Sequence, residues 1–311
     1  MHISEISPTE YVSAFGQTGH VFNSVAFSEL NRGKASALHY LAFCDTKLRF
    51  GLILGERGDG LYSPFSAPFG GFEQNGRQRL EKMEEAVIEL KAYAAGDKAR
   101  PGKAVHITLP PPIYGGSEPA KWANVMQRHG TLEHIDLNYH FDLTQTTRYE
   151  DVAERNARKN LHRALREDFG FTRLDSTSGD DIERAYRIIK ANREEHGYPL
   201  RMSLQAVKDT ARTLHADFFA MTLKGKDVAA AQVFHVAKDV AQVIYWGDLH
   251  AYSHLRTMNR LAYEMFSYYH GQGLRILDIG PSTVNGVPNH GLCSFKESIG
   301  CLATPKFSFT I

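Results

Sequence analysis

The chain reads as one order of elements written twice, and that repetition restricts the fold more than any single motif does. In the first half, "ALHYLAFC" (37–44), "LRFGLIL" (48–54) and "GLYSPFS" (60–66) are short aliphatic and aromatic runs, separated by the turn signals "CDTK" and "GERGDG". A helix follows, because Met83, Ala86, Val87, Leu90 and Ala94 recur at helical spacing until "AAGD" ends the run. A strand at 104–109, a helix at 119–129 and a strand at 134–143 close that half. The second half opens with two helices, one striped by Ile182, Ala185, Tyr186 and Ile189, the other at 203–214 behind a Ser203 cap. Strands at 217–223, 228–236 and 240–249 come next. Then a helix carries Met258, Leu261, Ala262, Met265, Phe266 and Tyr269 on one face and is stopped by Gly271 and Gly273. A strand at 274–280, a long polar loop, a short helix and a final strand at 306–311 complete the set. Single cores stop growing at roughly 250–300 residues, so two copies of one α+β unit suit 311 residues better than one large sheet. The expected domains are 1–146 and 147–311.

Charge and cysteine content narrow the partners. A formal net charge of +1 supplies no global field for DNA or a membrane surface, so any polyanion site must be a local patch. Cys44, Cys293 and Cys301 are too few and too scattered for a disulfide framework or a zinc cluster, which fits a reducing cytoplasm. The start "MHISEISPTEY" lacks the basic and apolar regions of a signal peptide. No apolar run approaches the ~18–20 residues of a membrane span. We therefore expect a cytoplasmic protein that neither enters membranes nor binds DNA. Nothing in the sequence indicates its oligomeric state.

The local basic patch is at 150–168, "EDVAERNARKNLHRALRED". At ~100° per residue, Arg155, Arg158, Lys159, His162, Arg163 and Arg166 share one arc, with Ala157, Leu161, Ala164 and Leu165 opposite. Glu150, Asp151 and Glu154 would sit in the first turn, where acids complement the helix dipole. Such a face is either a solvated cover over a domain junction or a stripe for the phosphates of a nucleotide, coenzyme or RNA.

Familiar catalytic motifs are missing. The sequence holds no GxxxxGK[ST] loop, no GxGxxG after a strand and no GxSxG elbow. His250 and His254 have the HxxxH spacing without an HExxH glutamate, which fits loop histidines better than metal ligands. Cys293 has no base in sight and reads as a structural thiol. What remains is chemistry that depends on positioning and electrostatics.

Four stretches in order supply a resemblance: "ERNARKNLHRA" (154–164), "IKANREEHGYPLR" (189–201), "VIYWGDLHAY" (243–252) and "LDIG…FKESIG". Residues 150–311 are similar to the second domain of the FemAB-like transferases, a branch of the GNAT (acyl-CoA N-acyltransferase) superfamily. The first half fits more loosely, through "YSPFSAPFGGF" (62–72). The resemblance implies two tandem GNAT-like domains facing each other across a cleft, the first on the acceptor side and the second on the donor side. An acyl or aminoacyl group would move without metal from acyl-CoA or aminoacyl-tRNA to a small-molecule amine acceptor, such as an envelope or polysaccharide precursor. Lys296 then matches the lysine that stabilises the oxyanion, with Asp278 or Asp248 accepting the amine proton. Tyr245, Trp246, Arg256, Phe295, Arg158 and Arg163 fall on the donor side. Ser66, Phe69, Gly70, Arg193, Tyr198 and Arg201 fall on the acceptor side. One departure stands out. Where GNAT proteins carry a glycine-rich pyrophosphate turn, this chain has "GDLHAYSHLRT", with no glycine after Gly247, leaving Arg256 to meet a phosphate. That keeps tRNA open as a carrier. The alternative from another class is a catalytically silent module that binds RNA or a nucleotide-linked ligand through 155–166.

Overall fold

The chain opens with elements that its hydrophobic periodicity did not reveal: β1 (His2–Glu5), α1 (Pro8–Phe15) and α2 (Val25–Leu30). Ser7 and Glu10 close a capping box on α1, and Ser24 caps α2. The expected meander follows as β2 (Ala37–Cys44), β3 (Leu48–Arg57) and β4 (Gly60–Ser63). Then come α3 (Leu80–Ala95), β5 (Ala104–Thr108), α4 (Glu118–His129) and β6 (Thr131–Asp142). This computed structural model describes residues 1–16, 18–96, 102–145 and 148–311. The expected domain boundary, between 146 and 147, lies outside the described residues.

The second copy has the same order. After a basic helix, α5 (Arg155–Ala164), come β7 (Phe169–Leu174), α6 (Gly179–Glu195) and α7 (Leu204–Thr213), whose Ser203 cap is present. Next are β8 (Ala216–Leu223), β9 (Lys226–Ala237), β10 (Val240–Asp248), α8 (Thr257–Gly271) and β11 (Ile276–Pro281). α9 (His290–Ser298) and β12 (Leu302–Thr310) end the chain. The single basic helix expected over 150–168 is broken. Ala153 and Glu154 are extended, and the Glu154 N–H bonds the Ser298 carbonyl at 2.8 Å, so the acids precede α5 rather than forming its first turn.

The described residues form two compact units, one of 1–137, 283–287 and 304–311, the other of 138–282 and 288–303. In the first, α3 lays Met83, Ala86, Val87 and Leu90 on the sheet, and Trp122 stacks on Phe72 at 4.2 Å. In the second, α8 does the same with Leu261, Ala262, Met265 and Phe266, joined by Ala157, Leu161 and Ala164 of α5. Each fully buried large side chain contributes about 1.5–3 kcal/mol.

The final strand is not where the periodicity put it. Ser308–Thr310 pair antiparallel with His106–Thr108 of β5, and Phe309 is buried in the first unit's core. Reciprocally, Asn138–Asp142 of β6 pair with β11 in the second unit. The last strand of each repeat thus completes the sheet of the other.

Candidate active site

In the second unit β10 and β11 run parallel, but their ladder covers only three registers, Val240–Ile276, Ala241–Leu277 and Gln242–Asp278. Beyond Gln242 the two strands part. The side chain of Asp278 fastens the point of parting. Its Oδ1 accepts from Asn138 Nδ2 and from the Gly280 N–H, and its Oδ2 accepts from Gln242 Nε2, each at 2.7 Å. Asp278 is fully buried and three donors hold it, so it joins three strands and is closed to an incoming amine. Asp248 is also buried, and burial raises its carboxyl above the usual range.

Lys296 secures the end of the parted strand. From α9 its Nζ donates to the carbonyls of Ile279, Gly280 and Pro281 at 3.0, 2.8 and 3.1 Å. The side chain is buried, and burial pushes its ammonium down to about 8. All three N–H bonds are spent on the strand, leaving none for an oxyanion. In this structure Lys296 holds the strand end in place. The polar loop before it is likewise ordered: Thr283–Val284 and Val287–Pro288 form a hairpin whose turn residues, Asn285 and Gly286, have φ of 51° and 78°, the left-handed values of a tight two-residue turn. In the first unit, Asp136 Oδ1 accepts from Thr283 Oγ1 at 2.6 Å and from the Gly286 N–H at 3.1 Å.

The freed segment of β10, Val243 to Trp246, has cationic and aromatic company. Arg193 lies over the Tyr245 ring at 5.1 Å and the Tyr198 ring at 5.9 Å. It is partly buried, which lowers its guanidinium below the ordinary value, and its Nε has no hydrogen-bond partner. Among the described residues Arg193 has no ion-pair partner. Tyr198 accepts from Asn289 Nδ2 at 3.2 Å, burial raises the Tyr245 hydroxyl above its ordinary value, and Arg201 is exposed. Phe295 stands edge-on to Trp246 at 6.4 Å. Sequence reasoning missed Asn192, whose Nδ2 donates to the Asp248 carbonyl at 2.7 Å. It lies so close over Gly247 that a Cβ there would be 2.3 Å from Asn192 Cγ. The one signal for this was Gly247, a glycine inside a strand pattern.

The first unit divides the expected acceptor residues. Phe69 is fully buried among His20, Phe22 and Tyr114, facing the core and not a ligand. Gly70 is buried too, and a Cβ on it would lie 2.7 Å from Ser63 Oγ and 2.9 Å from the Pro64 nitrogen, so the glycine admits its own chain. Ser66 is different. Its Oγ accepts from Lys34 Nζ at 2.8 Å and donates to Asn31 Oδ1 at 3.0 Å. Burial, then repulsion from Arg57, lowers the Lys34 ammonium. Among the described residues neither Lys34 nor Arg57 has a carboxylate partner. No motif marked these two cations, which lie 23 positions apart and meet only because the strands fold.

No protein-family model matches the chain, and no curated protein matches it in sequence. Solved structures do match. FemX superposes with a TM-score of 0.68 at 13% identity, covering 100% of this chain and 98% of that one. L-PGS from Bacillus licheniformis gives 0.61 at 12% identity, over 98% and 92%. A tandem GNAT protein from the clavulanic acid biosynthesis pathway gives 0.52 at 11% identity, over 100% and 98%. This is a tandem GNAT fold.

Within the tandem GNAT fold, the helix after the parted strand is α8. The residue before its first turn is Arg256, which adopts φ +64°, a left-handed conformation uncommon for a residue with a side chain. Its Nε is buried without a partner. Thr257 and Met258 carry first-turn N–H groups that no helix can satisfy internally. Arg155, Arg158, Lys159, His162 and Arg163 of α5, and Arg166 just beyond its end, are all exposed, and among the described residues none forms an ion pair; Arg158 also donates to the Glu150 carbonyl at 3.1 Å. His250 and His254 are exposed and gather no third metal ligand among the described residues. None of the described helices is long and apolar enough to cross a membrane.

Proposed function

We propose that the protein is an N-acyltransferase that moves an acyl or aminoacyl group from acyl-CoA or aminoacyl-tRNA to the amine of a small acceptor bearing an anionic group, as envelope and polysaccharide precursors do. The observation that carries this reading is the parting of β10 and β11 beyond Gln242 and Asp278, beside an Arg193 guanidinium that lacks a carboxylate. A strand edge released from its ladder offers backbone N–H groups to a donor carbonyl. Fixed donors of that kind stabilise charge that develops only in the transition state, each worth roughly 10²–10³ in rate. The amine nitrogen attacks the carbonyl carbon, and the C–O bond of an ester or the C–S bond of a thioester breaks. The nitrogen gives up a proton to water, because Asp278 and Asp248 are enclosed, and the leaving oxygen or sulfur takes one up.

Arg193 supplies an uncompensated guanidinium for an acceptor's carboxylate or phosphate. For the carrier, Arg256 at the start of α8 and the exposed cations of α5 both suit phosphates. The test pairs acyl-CoAs and charged tRNAs with amines that do or do not bear an anionic group, following thiol release or deacylation. We expect turnover with one carrier, favouring anionic acceptors. No turnover with either carrier, together with tight salt-sensitive RNA binding, overturns the reading in favour of an RNA-binding module.

A further inference from the structure

We propose that His215, Asp217 and His235 of the second unit form a zinc(II) site, built from residues that the transfer reaction does not use. Asp217 is the second residue of β8, His215 immediately precedes that strand, and His235 lies near the end of β9, its N–H bonded to the His215 carbonyl at 3.0 Å. The ligand atoms of the three side chains all lie within 4.8 Å of one another. His235 Nε2 is 2.7 Å from Asp217 Oδ2, and His215 Nε2 is 3.9 Å from Asp217 Oδ1.

The surroundings suit a metal-binding carboxylate. Ligating carboxylates and histidines are themselves held by outer hydrogen bonds that fix their orientation. Here the Asp217 carboxylate is almost fully buried, with Tyr269 donating to Oδ2 at 2.9 Å and Arg173 donating to Oδ1 at 2.8 Å. An ion would replace the proton between His235 Nε2 and Oδ2. Zinc bonds to nitrogen and oxygen are about 2.0–2.2 Å, so the present 2.7 Å contact needs to open only slightly. His215 closes the set by turning. Its side chain is 61% exposed and its ring is stacked on His235 at 3.7 Å, so it is free to move and leaves a route from solvent. Two imidazoles and one carboxylate form the three-ligand pattern that leaves zinc a fourth position, and imidazole nitrogen selects zinc over magnesium or calcium. The Arg173 guanidinium already partly neutralises Asp217, which lowers the carboxylate's attraction for the ion.

The test is a calorimetric titration of the chelator-treated full chain with zinc chloride, repeated with cobalt(II) and read by visible absorption. The expected result is one saturable equivalent, with the d–d absorption of nitrogen- and oxygen-bound cobalt. His215→Ala, an exposed change that leaves the core intact, should weaken binding tenfold or more and remove the cobalt bands. His254→Ala, elsewhere on the surface, should bind zinc like the parent. No saturable equivalent, or one that His215→Ala leaves intact, overturns the proposal and leaves the cluster as a closed hydrogen-bond network.

Discussion

Replacing Lys296 with methionine keeps most of the side-chain volume and removes the ammonium, so it isolates the three bonds to Ile279, Gly280 and Pro281. Leaving a buried acceptor unsatisfied costs roughly 1–3 kcal/mol. At the low end for each carbonyl, the variant loses about 3 kcal/mol. For a unit of this size each kcal/mol moves Tm by about 2–4 °C, so Tm should fall by about 6–12 °C. The assay is thermal unfolding followed by circular dichroism, with turnover measured well below the transition. A positioning role predicts both a lower Tm and a loss of turnover, because the strand beside the donor carbonyl is no longer held. An oxyanion role predicts a loss of about 10²–10³ in kcat with stability untouched. A Tm within about 1 °C of the parent alongside such a loss would refute the reasoning.

Three further outcomes follow from the same geometry. Arg193→Lys keeps the charge but loses the flat guanidinium that lies over Tyr245 and Tyr198, so KM for an anionic acceptor should rise about tenfold with little change in kcat; an equal loss of kcat would instead place Arg193 at the reacting atoms. Gly247→Ala drives a Cβ into Asn192 and should cost about 1–3 kcal/mol, whereas in an Asn192→Ala background the same change should be nearly neutral, a coupling that denaturant titration of the double-mutant cycle reads directly. His20 is buried, and burial lowers it from 6.5 to about 3, so below pH 6.5 the unfolded chain binds a proton that the folded chain does not. The stability it contributes is therefore present above pH 6.5 and lost as pH falls toward 3, by about 2 kcal/mol between pH 6.5 and 5. His20→Phe should remove that part of the acid sensitivity, and an unchanged pH profile would show that His20 is not its source.

The sequence by itself determined the elements with strong local signals. The stripes of α3 and α8, the Ser203 cap and the three-strand meander in each half all depend on short-range spacing, because a helix or hairpin is specified by residues a few positions apart. It assigned Arg193 and Tyr198 to the acceptor side and Tyr245 to the donor side, whereas the structure sets Arg193 over both tyrosine rings. Weak periods concealed β1 and α1, and the apparent helix over 150–168 ran through a break that only the contact of Glu154 with Ser298 imposes.

Only the tertiary structure decided which groups these side chains touch. A lysine after a polar loop looks the same in sequence whether its ammonium faces a substrate or three carbonyls, and an aspartate at a strand end looks the same whether free or held by Asn138 and Gln242. Phe69 and Gly70 lie in a turn that reads as an open binding loop, yet their burial depends on His20 and Ser63, which the chain alone does not place beside them. The exchange of last strands has the same origin. β6 and β12 have ordinary strand patterns, and strand pairing depends on which edge is free once each meander has formed, information that no local window contains.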